Sequence, residues 1–267
     1  MGLFLKALKK ADNEDIKFSE AIASKNSVLP NKELKWQLSP ALVDDLTILH
    51  ENLELRLEKK SNKIIAFASA LGDEGVSTLA SYYTWFLANR VSLKVNPRPR
   101  NTSSNSELLS KLPQVLLADF NFKNPRIHEL FGLEQPQGFV EAILDNYSFN
   151  RMTKIINTSN FRILTNGRSV TNPVALFNSV RFRDLMKQVR DYFDYAILDV
   201  PPIVSHPDAL SLAQHIDGVV LVVLAGITNR EIIQKAKAKL QEAGLPVLGV
   251  ILNRRTYYIP NFIYRRL

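Results

Sequence analysis

The stretch Ile64–Thr78 constrains this chain more than any other. It reads Ile-Ile-Ala-Phe-Ala-Ser-Ala-Leu-Gly-Asp-Glu-Gly-Val-Ser-Thr. Its first half is an apolar run of strand length, and its second half is a glycine-containing turn. An amphipathic pattern from Ser77 to Arg90 then predicts a helix, with Leu79, Tyr83, Phe86 and Leu87 on the buried side. A strand, a glycine turn and a helix in that order form the frame in which backbone N–H groups cradle phosphate. The frame would close with Gly-Lys-Ser/Thr, but here it closes with Gly75-Val76-Ser77-Thr78. The lysine that reaches the phosphates is absent.

The rest of the chain repeats the alternation of strand and helix. Ser39-Pro40 supplies an N-cap and a first-turn proline, and Leu42, Leu46, Leu49 and Leu53 then fall on one helical face. Strands are predicted at Lys63–Ser69, Gln114–Asp119, Phe161–Thr165, Tyr195–Asp199, Gly218–Leu224 and Pro246–Leu252. Between them, helices are predicted at Gly138–Leu144, Ser179–Phe193, Pro207–Ala213 and Asn229–Ala243, the last stopped by Gly244. Such alternation predicts an α/β fold, a doubly wound and mostly parallel sheet with helices on both faces. Ligands of these sheets bind at the carboxyl ends of the strands. Asp119 and Asp199 both end strands there, as does the glycine turn, so the three meet if their strands are neighbours.

The chain divides into residues 1–38, a short helix and linker; 39–253, the α/β domain; and 254–267, a basic tail carrying Tyr257, Tyr258 and Tyr264. In the first segment Leu3, Phe4, Leu5 and Leu8 alternate with Lys6, Lys9 and Lys10, a pattern that suits contact with a membrane surface. Residues 95–106 read as a surface loop rich in Pro, Ser and Asn. Absence of cysteine excludes disulfides, thiolate catalysis and cysteine-ligated metal, and suits a reducing cytoplasm. No apolar run approaches the roughly 18 to 20 residues of a membrane span. The net charge of +8 points to an acidic partner or a membrane surface, while no nucleic-acid motif is present. His50, His128, His206 and His215 have no metal-ligand spacing.

A nucleotide site on this frame needs backbone N–H groups, a cation, a hydroxyl on Mg²⁺ and a carboxylate on the metal. The loop Gly72, Asp73, Glu74, Gly75, Val76, Ser77 and Thr78 offers the N–H groups, Ser77 the hydroxyl, and Asp199 or Asp119 the carboxylate. Val76 withholds the cation, and Asp73 and Glu74 add negative charge. A unit charge at about 4 Å is worth on the order of 4 kcal/mol at an effective dielectric near 20. The expected cofactor state is therefore no ATP, or weakly bound ATP/Mg²⁺.

Taken together, the motifs resemble those of the bacterial tyrosine kinases of capsular and exopolysaccharide synthesis, P-loop ATPases related to the MinD/ParA group. Ser69-Ala70-Leu71 with Gly75-x-Ser77-Thr78 is similar to the family's Ser-x-x-Pro-Gly-x-Gly-Lys-Ser-Thr. Val115–Asp119 followed by Asn121, Lys123, Pro125 and His128 resembles its second motif, Leu-Leu-Ile-Asp-x-Asp-x-Arg-x-Pro-x-x-His. Leu130–Leu133 with Gly138, Leu164–Gly167 with Asn172-Pro173, Phe193–Pro202 with Asp208-Ala209, and Gly249–Arg254 fit the segments that follow, in order.

The departures fall at chemically important positions. Val76 stands at the lysine, Asp73 at a loop glycine, Asn121 at the second aspartate and Lys123 at its arginine. The family's Glu-x-x-Arg-x-x-Arg subunit-contact motif falls on Asp44, Thr47 and His50, without either arginine.

The resemblance implies a degenerate, non-catalytic kinase-like protein. It would sit in the cytoplasm at the inner face of the membrane, beside a membrane-embedded polysaccharide co-polymerase. It would touch the membrane through its N-terminal helix or basic tail. One alternative is an active tyrosine autokinase with Asp119 and Asp199 catalytic, Ser77 and Asp199 on Mg²⁺, and Tyr257, Tyr258 and Tyr264 as acceptors. The other is a MinD/ParA-like positioning ATPase.

Overall fold

The structure is a computed structural model and describes residues 38–94, 112–133, 137–156 and 160–254. The expectations for the N-terminal helix, the loop 95–106 and the three tail tyrosines lie outside these residues.

Helix α1, Pro40–Arg56, begins where the sequence places it: the Ser39 hydroxyl accepts the Leu42 N–H at 3.3 Å. Strand β1, Lys63–Ser69, is buried along its whole length. Helix α2, Val76–Lys94, follows the glycine turn, and β2, Val115–Asp119, comes next. Three short helices follow, α3 (Ile127–Leu130), α4 (Phe139–Leu144) and α5 (Phe149–Met152). Then come β3 (Thr153–Ile155), β4 (Phe161–Leu164), α6 (Pro173–Phe177) and α7 (Val180–Tyr192). The chain continues with β5 (Tyr195–Asp199), a 3-10 helix at Pro207–His215, β6 (Gly218–Leu224), α8 (Arg230–Glu242) and β7 (Val247–Asn253). The predicted strands are all present, with ends shifted by a residue at most.

The sheet order is β3-β4-β2-β5-β1-β6-β7. Every pair is parallel except β3 on β4. Both faces of the central strands are buried, so their residues alternate between two apolar layers. Ile65, Phe67, Leu117, Ile197 and Val222 face α1 and α2, packing with Leu46, Leu53, Tyr83 and Phe86. Ile64, Ala66, Leu116, Leu198 and Leu221 face the other way, with Phe139, Phe177, Phe182 and Met186. This is why β1, β2, β5 and β6 read as continuous apolar runs instead of alternating ones. Burial of each large apolar side chain contributes on the order of 1.5–3 kcal/mol, and this fixes which strand ends lie side by side.

Candidate functional site

The three strands that carry the site are adjacent, in the order β2, β5, β1. Asp119 and Asp199 are directly opposite in the β2–β5 ladder, and Asp199 is opposite Phe67 of β1. The register therefore brings the two carboxylates together, two residues short of the end of β1.

They differ in how they are satisfied. Asp119 accepts three backbone N–H groups at 3.1 Å, from Asn121, Arg126 and Ile127, and so folds the following loop and starts α3. Burial pushes its carboxyl up to about 7, against the lowering effect of those N–H groups. Asp199 is fully buried, and neither carboxylate oxygen has a hydrogen-bond partner among the described residues. Burial and the neighbouring Asp119 charge raise it well above the usual carboxylate range; the nearby Ser77 hydroxyl acts the other way. A buried carboxylate whose one polar side-chain neighbour besides Asp119 is a serine hydroxyl has the donor set that Ser77 and Asp199 would offer a Mg²⁺ ion.

The turn has the geometry of an anion cradle. Gly72, Asp73 and Gly75 all have positive φ, at 135°, 55° and 85°. Helix α2 starts at Val76, and its first-turn N–H groups have no intrahelical acceptor. Around the cradle the backbone is tied down. Ile203 and Val204 donate to the Ser69 and Ala70 carbonyls at 2.9 and 3.2 Å. Asn253, at the end of β7, donates from Nδ2 to the Glu74 carbonyl at 2.8 Å. A Cβ on Gly75 would stand 2.5 Å from that same nitrogen, so this position requires glycine.

Glu74 has a structural role beyond being one of the two acids in the loop. It is 2% exposed, and its carboxylate turns back to accept the N–H groups of Ala70 and Leu71 at 2.8 and 3.1 Å. Its other oxygen accepts the Thr228 hydroxyl. The residue braces the loop from within. Nothing in the spacing of Thr228 or Asn253 signals that role, because one lies in the turn after β6 and the other ends β7, both far from the loop in sequence. Asp73 is exposed at the rim. Val76 is only 8% exposed and belongs to the apolar layer beneath α1 and α2. Thr78 is exposed, on the first turn of α2. Asn121 is half-buried, with its side-chain oxygen accepting the Asn124 N–H at 3.2 Å. Tyr257, Tyr258 and Tyr264 lie outside the described residues. No group of three or more His, Asp or Glu side chains suited to a metal occurs among the described residues.

No protein-family model matches the sequence. Among known proteins, the tyrosine-protein kinase CpsD of Streptococcus pneumoniae serotype 4 is 32% identical over 165 residues, covering 60% of this chain and 73% of CpsD. The chain belongs to the bacterial tyrosine-protein kinase family. It spans 62% of the length of CapB from Staphylococcus aureus, a tyrosine-kinase relative 30% identical over 141 residues. Solved structures support the fold of this tyrosine-kinase family member. The chimerical protein CapA2B2 superposes with a TM-score of 0.70 at 21% identity, over 84% of this chain and 88% of that one. The cell-division ATPase MinD of Pyrococcus furiosus superposes with 0.55 at 19% identity, over 77% and 78%. The fold is thus that of the MinD-like P-loop ATPases. No helix among the described residues is long and apolar enough to cross a membrane.

Proposed function

We propose that this tyrosine-kinase family member is a non-catalytic one. It acts in the cytoplasm as a partner of a membrane-embedded polysaccharide co-polymerase during polymerisation and export of capsular or exopolysaccharide. The cellular setting follows from the family resemblance. The loss of catalysis rests on one observation: Val76, at the phosphate-lysine position, is apolar and packed into the core. Phosphoryl transfer depends almost wholly on positioning and on neutralising charge on the transferred group. A buried valine supplies neither, and Asp73 at the rim adds repulsion. Asn121 supports the same reading, since an amide cannot take a proton as a carboxylate does.

The test is to incubate the full-length protein with Mg-ATP and measure phosphotyrosine by mass spectrometry, with ATP affinity by calorimetry. The expected result is no phosphate on Tyr257, Tyr258 or Tyr264, and an affinity weaker than micromolar. Phosphate on those tyrosines would make the protein an autokinase. One observation favours that second reading: Asp199, buried and without a hydrogen-bond partner among the described residues beside Ser77, retains the features of a metal ligand.

A further inference from the structure

We propose that Arg162, near the amino end of β4, is the seat of a second binding site, one that takes a small monocarboxylate. It lies three strands away from the glycine turn in the order β4-β2-β5-β1, so it stands whether or not the protein transfers phosphate.

Two lysine or arginine side chains are buried among the described residues, Lys63 and Arg162. Lys63 is neutralised by Glu54 at 3.2 Å. Arg162 is only 5% exposed, yet no carboxylate among the described residues pairs with it. One side-chain hydrogen bond holds it: Nη1 donates to the Thr153 hydroxyl at 3.1 Å. A guanidinium carries five N–H donors, so most of this fork is unmet. The place of Arg162 in the sheet sharpens the mismatch. It is opposite Leu116 of β2 in the strand ladder. With Leu116 and Leu164 it therefore faces the apolar layer that holds Phe149 and Met152 of α5. Burial lowers the guanidinium from its ordinary value, and no acid among the described residues acts against it.

Thr153 links the fork to a second unsatisfied group. Its hydroxyl donates to the Asn150 carbonyl at 3.4 Å, and the Asn150 Oδ1 is buried without a partner among the described residues. A half-turn of that amide exchanges the orphaned acceptor for a donor. The unpaired nitrogens of Arg162 are not sealed from solvent, so an anion can reach the fork.

The surroundings set the charge of the ligand. One carboxylate cancels one guanidinium. A doubly charged phosphate would leave a net negative charge against an apolar layer, where uncompensated charge is costly. The planar fork also matches the two oxygens of a carboxylate in one plane. The narrow exposure of Arg162 restricts the ligand to a small molecule.

The experiment titrates sodium acetate into the full-length protein by calorimetry, with melting followed in acetate, chloride and phosphate at matched ionic strength. The unmodified protein should bind acetate with roughly millimolar Kd. At about 50 mM, acetate should raise its melting point by about 5 °C over chloride, and phosphate by less. Arg162→Met should show no acetate response. In chloride it should melt at or above the parent, because it removes an unpaired buried charge and keeps an apolar stem. Arg162→Lys retains the charge without the fork and should respond less than the parent. Equal acetate responses in the parent and Arg162→Met would overturn the proposal, as would no heat from the parent at about 50 mM, some fifty times that Kd. Melting of Arg162→Met several degrees below the parent in chloride would also overturn it, by showing that the chain itself already neutralises the guanidinium. A larger response to phosphate than to acetate would overturn the carboxylate assignment.

Discussion

At the scale of single residues, the cradle holds two acids with opposite consequences. Asp73 is exposed in the left-handed region at φ 55°, where glycine is less strained. Asp73→Gly should therefore remove a repulsive charge and also stabilise the fold, by up to about 1 kcal/mol. Val76→Lys adds the missing cation, but it removes an apolar side chain from the core. The lysine stem can partly replace that packing if its ammonium reaches the cradle. The double variant should bind Mg-ATP at least tenfold more tightly than the parent by calorimetry, with a melting point no higher. Affinity unchanged in the double variant would mean that more than the charge has decayed. Phosphate transfer should still require Asn121→Asp as well. Glu74 is the other case. Its carboxylate satisfies two backbone N–H groups and the Thr228 hydroxyl in a buried place. Glu74→Ala would strand those donors and should cost about 2–4 kcal/mol in urea unfolding, and Glu74→Gln clearly less. A cost of a few tenths for Glu74→Ala would show that the loop does not depend on this brace.

At the scale of elements, the ends of β2 and β5 create a pH dependence. Their opposed carboxylates are both raised in the folded chain, Asp119 to about 7 and Asp199 well above its ordinary value, chiefly by burial. Between about pH 4 and 7 the folded state then binds more protons than the unfolded one. Stability contributed by the protonated pair is present at the acid end of that window and falls as pH rises through it. The melting point should be higher near pH 5 than near pH 8, and Asp199→Asn should reduce that difference, leaving the part that burial of Asp119 contributes. An unchanged pH slope in Asp199→Asn would place its origin elsewhere. The strands themselves were legible because burial on both faces writes a continuous apolar run into the sequence. The meeting of Asp119 and Asp199 was legible as a condition on neighbouring strands, which the order β2-β5-β1 meets. Short elements were not legible: β3 has only Thr153–Ile155 and pairs antiparallel at the sheet edge, too few residues to show a period. The helix α2 extends beyond the predicted Arg90 to Lys94, since no proline or glycine stops it there. The bracing role of Glu74 was not legible, because Thr228, which donates to its carboxylate, follows β6, and Asn253, which holds its carbonyl, ends β7, both far away in sequence.

At the scale of the whole molecule, the question is assembly. The family resemblance implies subunit contacts through two arginines, at positions that here are Thr47 and His50 on α1. Thr47 spends its hydroxyl on the Val43 carbonyl at 2.7 Å. His50 is fully buried, with Nδ1 3.1 Å from the Tyr83 hydroxyl and its ring against Phe86 and Tyr195. Position 50 thus faces the core, while the outward side of the helix presents Ile48 and Leu55, at 58% and 72% exposure. A guanidinium cannot reach a neighbouring subunit from a buried position without first being desolvated. His50→Arg would force a longer, permanently charged side chain into a fully buried position packed by Tyr83, Phe86 and Tyr195, and should destabilise the protein by about 3 kcal/mol or more. Thr47→Arg, at a half-buried position, should be tolerated. Light scattering of the unmodified protein at micromolar concentration should show no stable octamer, and the Thr47→Arg/His50→Arg pair should not create one. An octamer in the unmodified protein would show that assembly proceeds through other contacts, with the exposed Ile48 and Leu55 the first to replace by serine.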